Sequence, residues 1–128
     1  LKSFVVLKML IEKGILKEKD VLILDEPEIH LHPDWQLKYA EIIVLLQKMF
    51  DLNIVVTTHS RDFLEAINLL SKKYNIADRC NYYFAKQENG GSTFEDVTND
   101  ITVLYRQMIQ PMMLLDALRF ELEEDDDE

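Results

Sequence analysis

Residues 21–27 read VLILDEP, four apolar residues followed by the adjacent carboxylates Asp25 and Glu26 and a proline. A continuous apolar run of this length, rather than an alternating one, predicts a central strand of a parallel sheet that is covered on both faces. In open α/β sheets, ligands bind beyond the carboxyl ends of the strands. We therefore expect Asp25 to lie at a ligand-binding edge of the sheet.

A second apolar segment, residues 52–58 (LNIVVTT), is followed directly by His59. Between the two segments, a proline and an aspartate open a helix that the apolar spacing extends over residues 33–50. A strand, a helix and a parallel strand form one crossover unit, which favours an α/β fold with a doubly wound sheet flanked by helices. Parallel neighbours would bring Asp25, Glu26 and His59 together at one edge.

Two more helices are predicted around this unit. Ser3 can cap a helix that continues to Lys13, and Gly14 supplies a left-handed stop. Ser60 can cap another helix over residues 61–73. Ser60 is better explained as a cap than as a nucleophile, because no base is placed behind it as a catalytic triad requires.

The remaining part of the chain is predicted to hold a hairpin and a helix. Residues 82–86 and 93–97 flank an Asn-Gly-Gly turn, so we expect a hairpin that adds an antiparallel edge to the sheet. Residues 101–122 form the last predicted helix. Pro111 is expected to kink or divide that helix, because proline removes one backbone donor.

Composition limits the possible classes of protein. The 128 residues carry a formal net charge of −10, and seven of the last eight side chains are carboxylates. We expect residues 1–120 to form one globular domain and residues 121–128 a disordered acidic tail. Such a chain is a poor ligand for nucleic-acid phosphates, so contact with DNA would need other parts of a longer protein. No apolar run approaches the ~20 residues that span a bilayer, and Cys80 alone cannot form an intramolecular disulfide, which fits the cytoplasm.

The residues at the predicted edge suit phosphate chemistry. Asp25 could hold Mg²⁺ through its water shell, since Mg²⁺ prefers carboxylates, retained waters and nucleotide phosphates. Glu26 could orient a water or accept its proton. His59 could hydrogen-bond a terminal phosphate. The alternatives are that the two carboxylates only begin a loop and that His59 only helps to cap the helix behind it.

The segments VLILDEPEIHLHPDWQ and IVVTTHSRDFLEAI together resemble the Walker B, D-loop and switch-histidine region of ABC-type ATPases. The branch is that of the AAA domains of overcoming-lysogenization-defect, Septu, retron-associated defence and RecF-like ATPases, and the resemblance covers residues 3–67. It implies a bacterial, cytoplasmic P-loop ATPase that uses ATP and Mg²⁺. Asp25 matches the metal-binding Walker B aspartate, Glu26 the catalytic glutamate, and His59 the switch histidine that contacts the nucleotide.

The same resemblance assigns a role to the loop after the first strand. Glu28, His30 and His32 fall at the D-loop, which in this family lies across a head-to-tail dimer, so a homodimer is implied. His30 and His32 could instead suggest a zinc site, but zinc would need a third ligand.

Two motifs of the family are missing. The sequence has three glycines, none in a G-x-x-x-x-G-K-[ST] pattern, and it lacks the Ser-Gly signature. We therefore expect the C-terminal half of an ATPase domain, inactive alone, whose parent protein has an upstream half with both motifs. The alternative is a non-catalytic interaction module of a defence or DNA-associated complex, in which the apolar residues 108–118 contact an effector protein.

Overall fold

A computed structural model describes residues 2–126 and the side chains of residues 4–123. The helices are α1 (Lys2–Glu12), α2 (Pro33–Phe50), α3 (Arg61–Lys73) and α4 (Thr102–Asp126), and the strands are β1 (Val21–Asp25), β2 (Asn53–Thr57), β3 (Tyr83–Glu88) and β4 (Gly91–Asp96). A short 3-10 turn, Ala77–Arg79, follows α3. The chain divides into two compact units, Leu1–Cys80 and Asn81–Glu128, which are described separately below as the first and second units.

The first unit is built around a parallel pair of strands. β1 pairs with β2 in a register that runs from Val21 opposite Asn53 to Asp25 opposite Thr57. This confirms the predicted strand–helix–parallel strand order and a mixed α/β fold. The predicted doubly wound sheet is not seen, because the parallel sheet of the described residues has two strands.

Only one face of the parallel sheet is covered within the described chain. Leu22 and its neighbours on that face pack into a core shared by α1, α2 and α3, in which Tyr39 and Phe63 have no exposed surface. On the opposite face, Ile23 is 71% exposed and Val55 is 54% exposed. The prediction of a strand covered on both faces is therefore wrong for the described residues, since the helices that meet the sheet all join the same core.

Local sequence signals explain the helix ends. α2 begins at Pro33, as predicted, with His32 as N-cap, and α3 begins after Ser60, whose hydroxyl accepts a hydrogen bond from the Phe63 amide at 3.2 Å. The first helix differs slightly from prediction, because Ser3 lies inside α1 rather than before it. Gly14 has a φ of 63°, a left-handed conformation that glycine adopts without steric cost after a helix end.

The second unit contains the hairpin and α4. β3 and β4 pair antiparallel with Glu88 opposite Gly91, which leaves a two-residue Asn-Gly turn. They form their own two-stranded sheet, so the prediction that the hairpin extends the parallel sheet is wrong. The tight turn and the ion pair between Lys86 and Glu95 stabilise the hairpin through contacts within the hairpin itself.

The last helix is longer than predicted. α4 continues through Pro111, which does not divide it, and ends at Asp126. Residues 121–126 of the predicted acidic tail therefore belong to a helix, and residues 127 and 128 lie outside the described residues.

Candidate active site

The carboxyl ends of β1 and β2 place two polar side chains opposite each other. Asp25 is the last residue of β1 and pairs in register with Thr57, the last residue of β2. The Thr57 hydroxyl donates a hydrogen bond to Oδ1 of Asp25. The Glu26 amide then donates to the Thr57 carbonyl at 3.0 Å and lies 3.1 Å from the Thr57 hydroxyl oxygen. The strand pairing thus extends one residue further and fixes the backbone of Glu26.

Glu26 and His59 lie side by side beyond this edge. Oε1 of Glu26 is 3.3 Å from Nε2 of His59, within reach of a hydrogen bond. The His59 side chain is 92% exposed, whereas that of Glu26 is 33% exposed. The structure therefore brings together the carboxylate and the imidazole that the sequence places at the ends of two different strands.

The backbone of Glu26 is unusual. Its φ is 44°, in the left-handed region that non-glycine residues rarely adopt. Such a conformation costs on the order of 1–3 kcal/mol and persists when surrounding contacts determine it, often at functional sites. Here the two contacts of the Glu26 amide with Thr57 supply that constraint.

The loop after Glu26 separates the three predicted dimer-contact residues into two groups. Glu28 is buried, 4% exposed, and its Oε1 accepts a hydrogen bond of 2.5 Å from the Thr58 hydroxyl. His30 and His32 are exposed, and Nδ1 of His32 lies 3.4 Å from the Asp34 amide at the start of α2. A dimer contact by these residues stays a prediction.

A second polar connection joins the same two loops, and sequence reasoning missed it. The side-chain amide of Gln36 donates to the carbonyls of Leu31 at 3.0 Å and Glu28 at 3.3 Å. The Ser60 hydroxyl donates to Oε1 of Gln36 at 3.5 Å. The only available signal was a glutamine in the first turn of α2, four residues after His32, and its partner Ser60 lies in a distant segment.

A protein-family model described as "AAA domain, putative AbiEii toxin, Type IV TA system" matches residues 5–65. This part of the chain is similar to AAA-type ATPase domains. The match covers Asp25, Glu26 and His59, and it supports a P-loop-type ATPase domain with a general nucleotide-binding function. No solved structure matches the chain.

ATP and Mg²⁺ are the usual ligands of such domains, and the strand edge offers suitable metal ligands. The exposed carboxylate of Asp25 and the Thr57 hydroxyl are hard oxygen groups of the kind that Mg²⁺ prefers. Among the side chains of residues 4–123, no three of His, Cys, Asp or Glu cluster in a way that could hold a metal ion. A zinc site at His30 and His32 therefore lacks a third ligand there, whereas Mg²⁺ needs only one or two carboxylates with waters and phosphates.

An apolar groove runs between α1 and β1 and ends at Asp25. Its other lining residues are apolar except for Tyr39, whose side chain is fully buried. The groove therefore does not replace a phosphate-binding loop. Separately, none of the helices in the described part of the chain is both long and apolar enough to cross a membrane.

Proposed function

We propose that this chain supplies the metal-and-water half of an ATP-hydrolysis site in a cytoplasmic, ABC-type member of the AAA-like ATPases. The reaction is the hydrolysis of the terminal phosphoanhydride of ATP. The observation that carries the proposal is the 3.3 Å separation of Glu26 Oε1 and His59 Nε2, beside Asp25 at the carboxyl edge of a parallel strand pair. The match of residues 5–65 to an AAA-domain family supports it.

Asp25 is the proposed metal-binding residue. Its hydrogen bond from Thr57 fixes one carboxylate oxygen, and its exposure leaves room for a hydrated ion and phosphates. Bound Mg²⁺ would neutralise the charge that develops on the β- and γ-phosphate oxygens.

Glu26 is the proposed residue that orients the attacking water and accepts its proton. Its carboxylate is partly buried, and its backbone is fixed by Thr57, so the position of the acceptor is defined before substrate binds. Positioned charge is the main source of acceleration in phosphoryl transfer.

His59 is the proposed contact to the γ-phosphate. Its imidazole is almost fully exposed and faces Glu26 at one nitrogen, so it is accessible to a nucleotide bound at this edge. Release of the γ-phosphate would remove a hydrogen-bond partner from His59, and through this change His59 would sense hydrolysis.

The phosphate-binding loop is proposed to come from outside this sequence, which has no G-x-x-x-x-G-K-[ST] pattern. In this proposal two protomers meet head to tail with ATP between them, and the exposed His30 and His32 lie at the contact. The chain alone then binds ATP weakly or not at all.

The test is ATP turnover by the assembly that joins this chain to a phosphate-binding loop. Glu26→Gln should lower kcat by about 100-fold or more, as expected for loss of a general base, and leave Mg²⁺-ATP binding by calorimetry within a small factor. Glu18→Gln, at an exposed carboxylate of the same unit, is the matched control and should leave turnover unchanged. Normal turnover by Glu26→Gln would exclude the assignment.

The second candidate is a non-catalytic interaction module. It is favoured by α4, where Met112, Met113, Leu115 and Leu118 are each more than half exposed. In that case Glu26→Gln leaves binding of the partner protein unchanged, whereas disruption of α4 weakens it. The same Glu26 variant therefore separates the two candidates.

A further inference from the structure

We propose that Glu28 is a positioning residue, which ties the loop that carries Glu26 to the loop that carries His59 and so keeps that pair within reach. Its consequence for ATP hydrolysis rests on the proposed function. The structural coupling between the two loops does not, and it can be measured separately.

The bond from Thr58 to Glu28 connects two segments that are distant in sequence. The hydroxyl of Thr58 donates to Oε1 of Glu28 at 2.5 Å, across 30 positions of the chain. Glu28 is two residues after Glu26, and Thr58 directly precedes His59. Because this one hydrogen bond joins the two segments, it limits the movement of one loop relative to the other.

His59 depends on its neighbours for its position. Its side chain is 92% exposed, so packing does not hold it. On one side, Thr58 is held by Glu28, and its hydroxyl also accepts a hydrogen bond from the Ser60 amide at 3.0 Å. On the other side, Ser60 contacts Gln36, which in turn bonds the carbonyl of Glu28. The backbone around His59 is therefore attached to the Glu28 loop on both sides.

Stability alone does not explain a carboxylate at position 28. The Glu28 side chain is 4% exposed, and its Oε2 has no hydrogen-bond partner among the residues that the structure describes. A buried carboxyl group with an unsatisfied oxygen is unfavourable compared with a well-packed apolar side chain. What the Glu28 carboxylate provides is its directional hydrogen bond with Thr58, which an apolar side chain cannot form.

The first experiment uses NMR on this chain to test whether the Glu26 loop and the His59 loop are linked. The readout is the ¹⁵N chemical shifts of the His59 ring. Glu26→Gln should shift the Nε2 resonance, because the replaced oxygen lies 3.3 Å from that atom. In a Glu28→Ala background, this response should fall to less than half. Thr58→Val should reduce it equally, and Thr58→Ser, which keeps the hydroxyl, should restore it.

The matched control is Ser71→Ala, at a fully buried polar residue of the same unit whose hydroxyl bonds the Ile67 carbonyl. This variant should keep the full His59 response. If Glu28→Ala does not fold, the test uses two other variants. Thr58→Val should reduce the His59 response, and Glu28→Gln, which retains an acceptor oxygen, should keep it. A folded Glu28→Ala or Thr58→Val variant with an undiminished response overturns the inference.

The second experiment measures turnover in the assembly with a phosphate-binding loop. Glu28→Ala should lower kcat by about 10- to 100-fold with little change in KM, the effect expected when reacting groups are slightly misplaced. Thr58→Ser should keep most of the activity. If Glu26→Gln leaves turnover normal, the proposed function fails, and the NMR result still decides the positioning role. If Glu26→Gln abolishes turnover and Glu28→Ala does not lower it, only the positioning role fails.

Discussion

Glycine at position 26 should give a more stable protein than alanine at position 26, which is the reverse of the usual order. Both substitutions remove the Glu26 side chain and its contact with His59, so the comparison isolates the backbone. The φ of 44° at this position is strained for any residue with a Cβ atom. The variant pair therefore measures the strain stored beside the candidate catalytic carboxylate.

The magnitude follows from two opposing terms. A left-handed conformation costs a non-glycine residue roughly 1–2 kcal/mol. Glycine loses more conformational entropy on folding, and this loss offsets roughly 0.5–1 kcal/mol of its advantage. Taking the middle of each range, Glu26→Gly should unfold with a free energy about 0.75 kcal/mol higher than that of Glu26→Ala.

The assay is urea unfolding followed by the fluorescence of Trp35. This is the single tryptophan of the chain, and its ring packs edge-on against Phe4 at 5.6 Å, so it reports on the first unit. Lys19, with a φ of 65°, should show the same order of glycine over alanine. Lys8, inside α1, should show the opposite order by about 1 kcal/mol. Alanine at position 26 as stable as glycine would refute the strain argument.

Three further predictions concern the first unit. Ser60→Ala removes the cap of α3 and should lower the unfolding free energy by about 1 kcal/mol, measured by urea unfolding, with Ser60→Asn as the capping control. Phe63→Ala empties a fully buried site and should cost about 3–5 kcal/mol by the same measurement; a loss below 1 kcal/mol would contradict the packing described above. The hydrogen bond from Tyr74 to Glu41 raises the pKa of the Tyr74 phenol above its ordinary value of 10.0, so its stabilising contribution is complete below that pH and is lost as the pH rises through the folded-state pKa. Tyr74→Phe should remove this alkaline loss in pH-dependent unfolding, and an unchanged profile would contradict it.

Local chemical signals made part of the fold predictable. The bounds of α2 and α3 agree with prediction, since Pro33 at a first helical position and Ser60 as a cap act within a few residues of the helix start. The hairpin follows from the Asn-Gly turn for the same reason. The parallel pairing of β1 and β2 followed from two apolar segments separated by one helix.

Features that depend on distant partners were not predictable. The apolar run of β1 predicts coverage of both faces, but coverage depends on which layers are present, and Ile23 is exposed in the described chain. The burial of Glu28 was missed because glutamate is usually exposed, and its partner Thr58 lies 30 positions away. The proximity of Glu26 and His59 was inferred from parallel topology, whereas the left-handed backbone of Glu26 had no local signal such as a glycine.

The candidate site combines two features that each lower stability, and this combination favours a functional explanation over a structural one. Glu26 has a strained backbone, and Glu28 is a buried carboxylate with one unsatisfied oxygen. If either residue served the fold alone, glycine at position 26 or an apolar side chain at position 28 would serve it better. Both carboxylates act on the same pair of loops, and together they keep a partly buried acceptor next to an exposed imidazole. Proteins accept such local strain where the position of a reactive group matters more than stability.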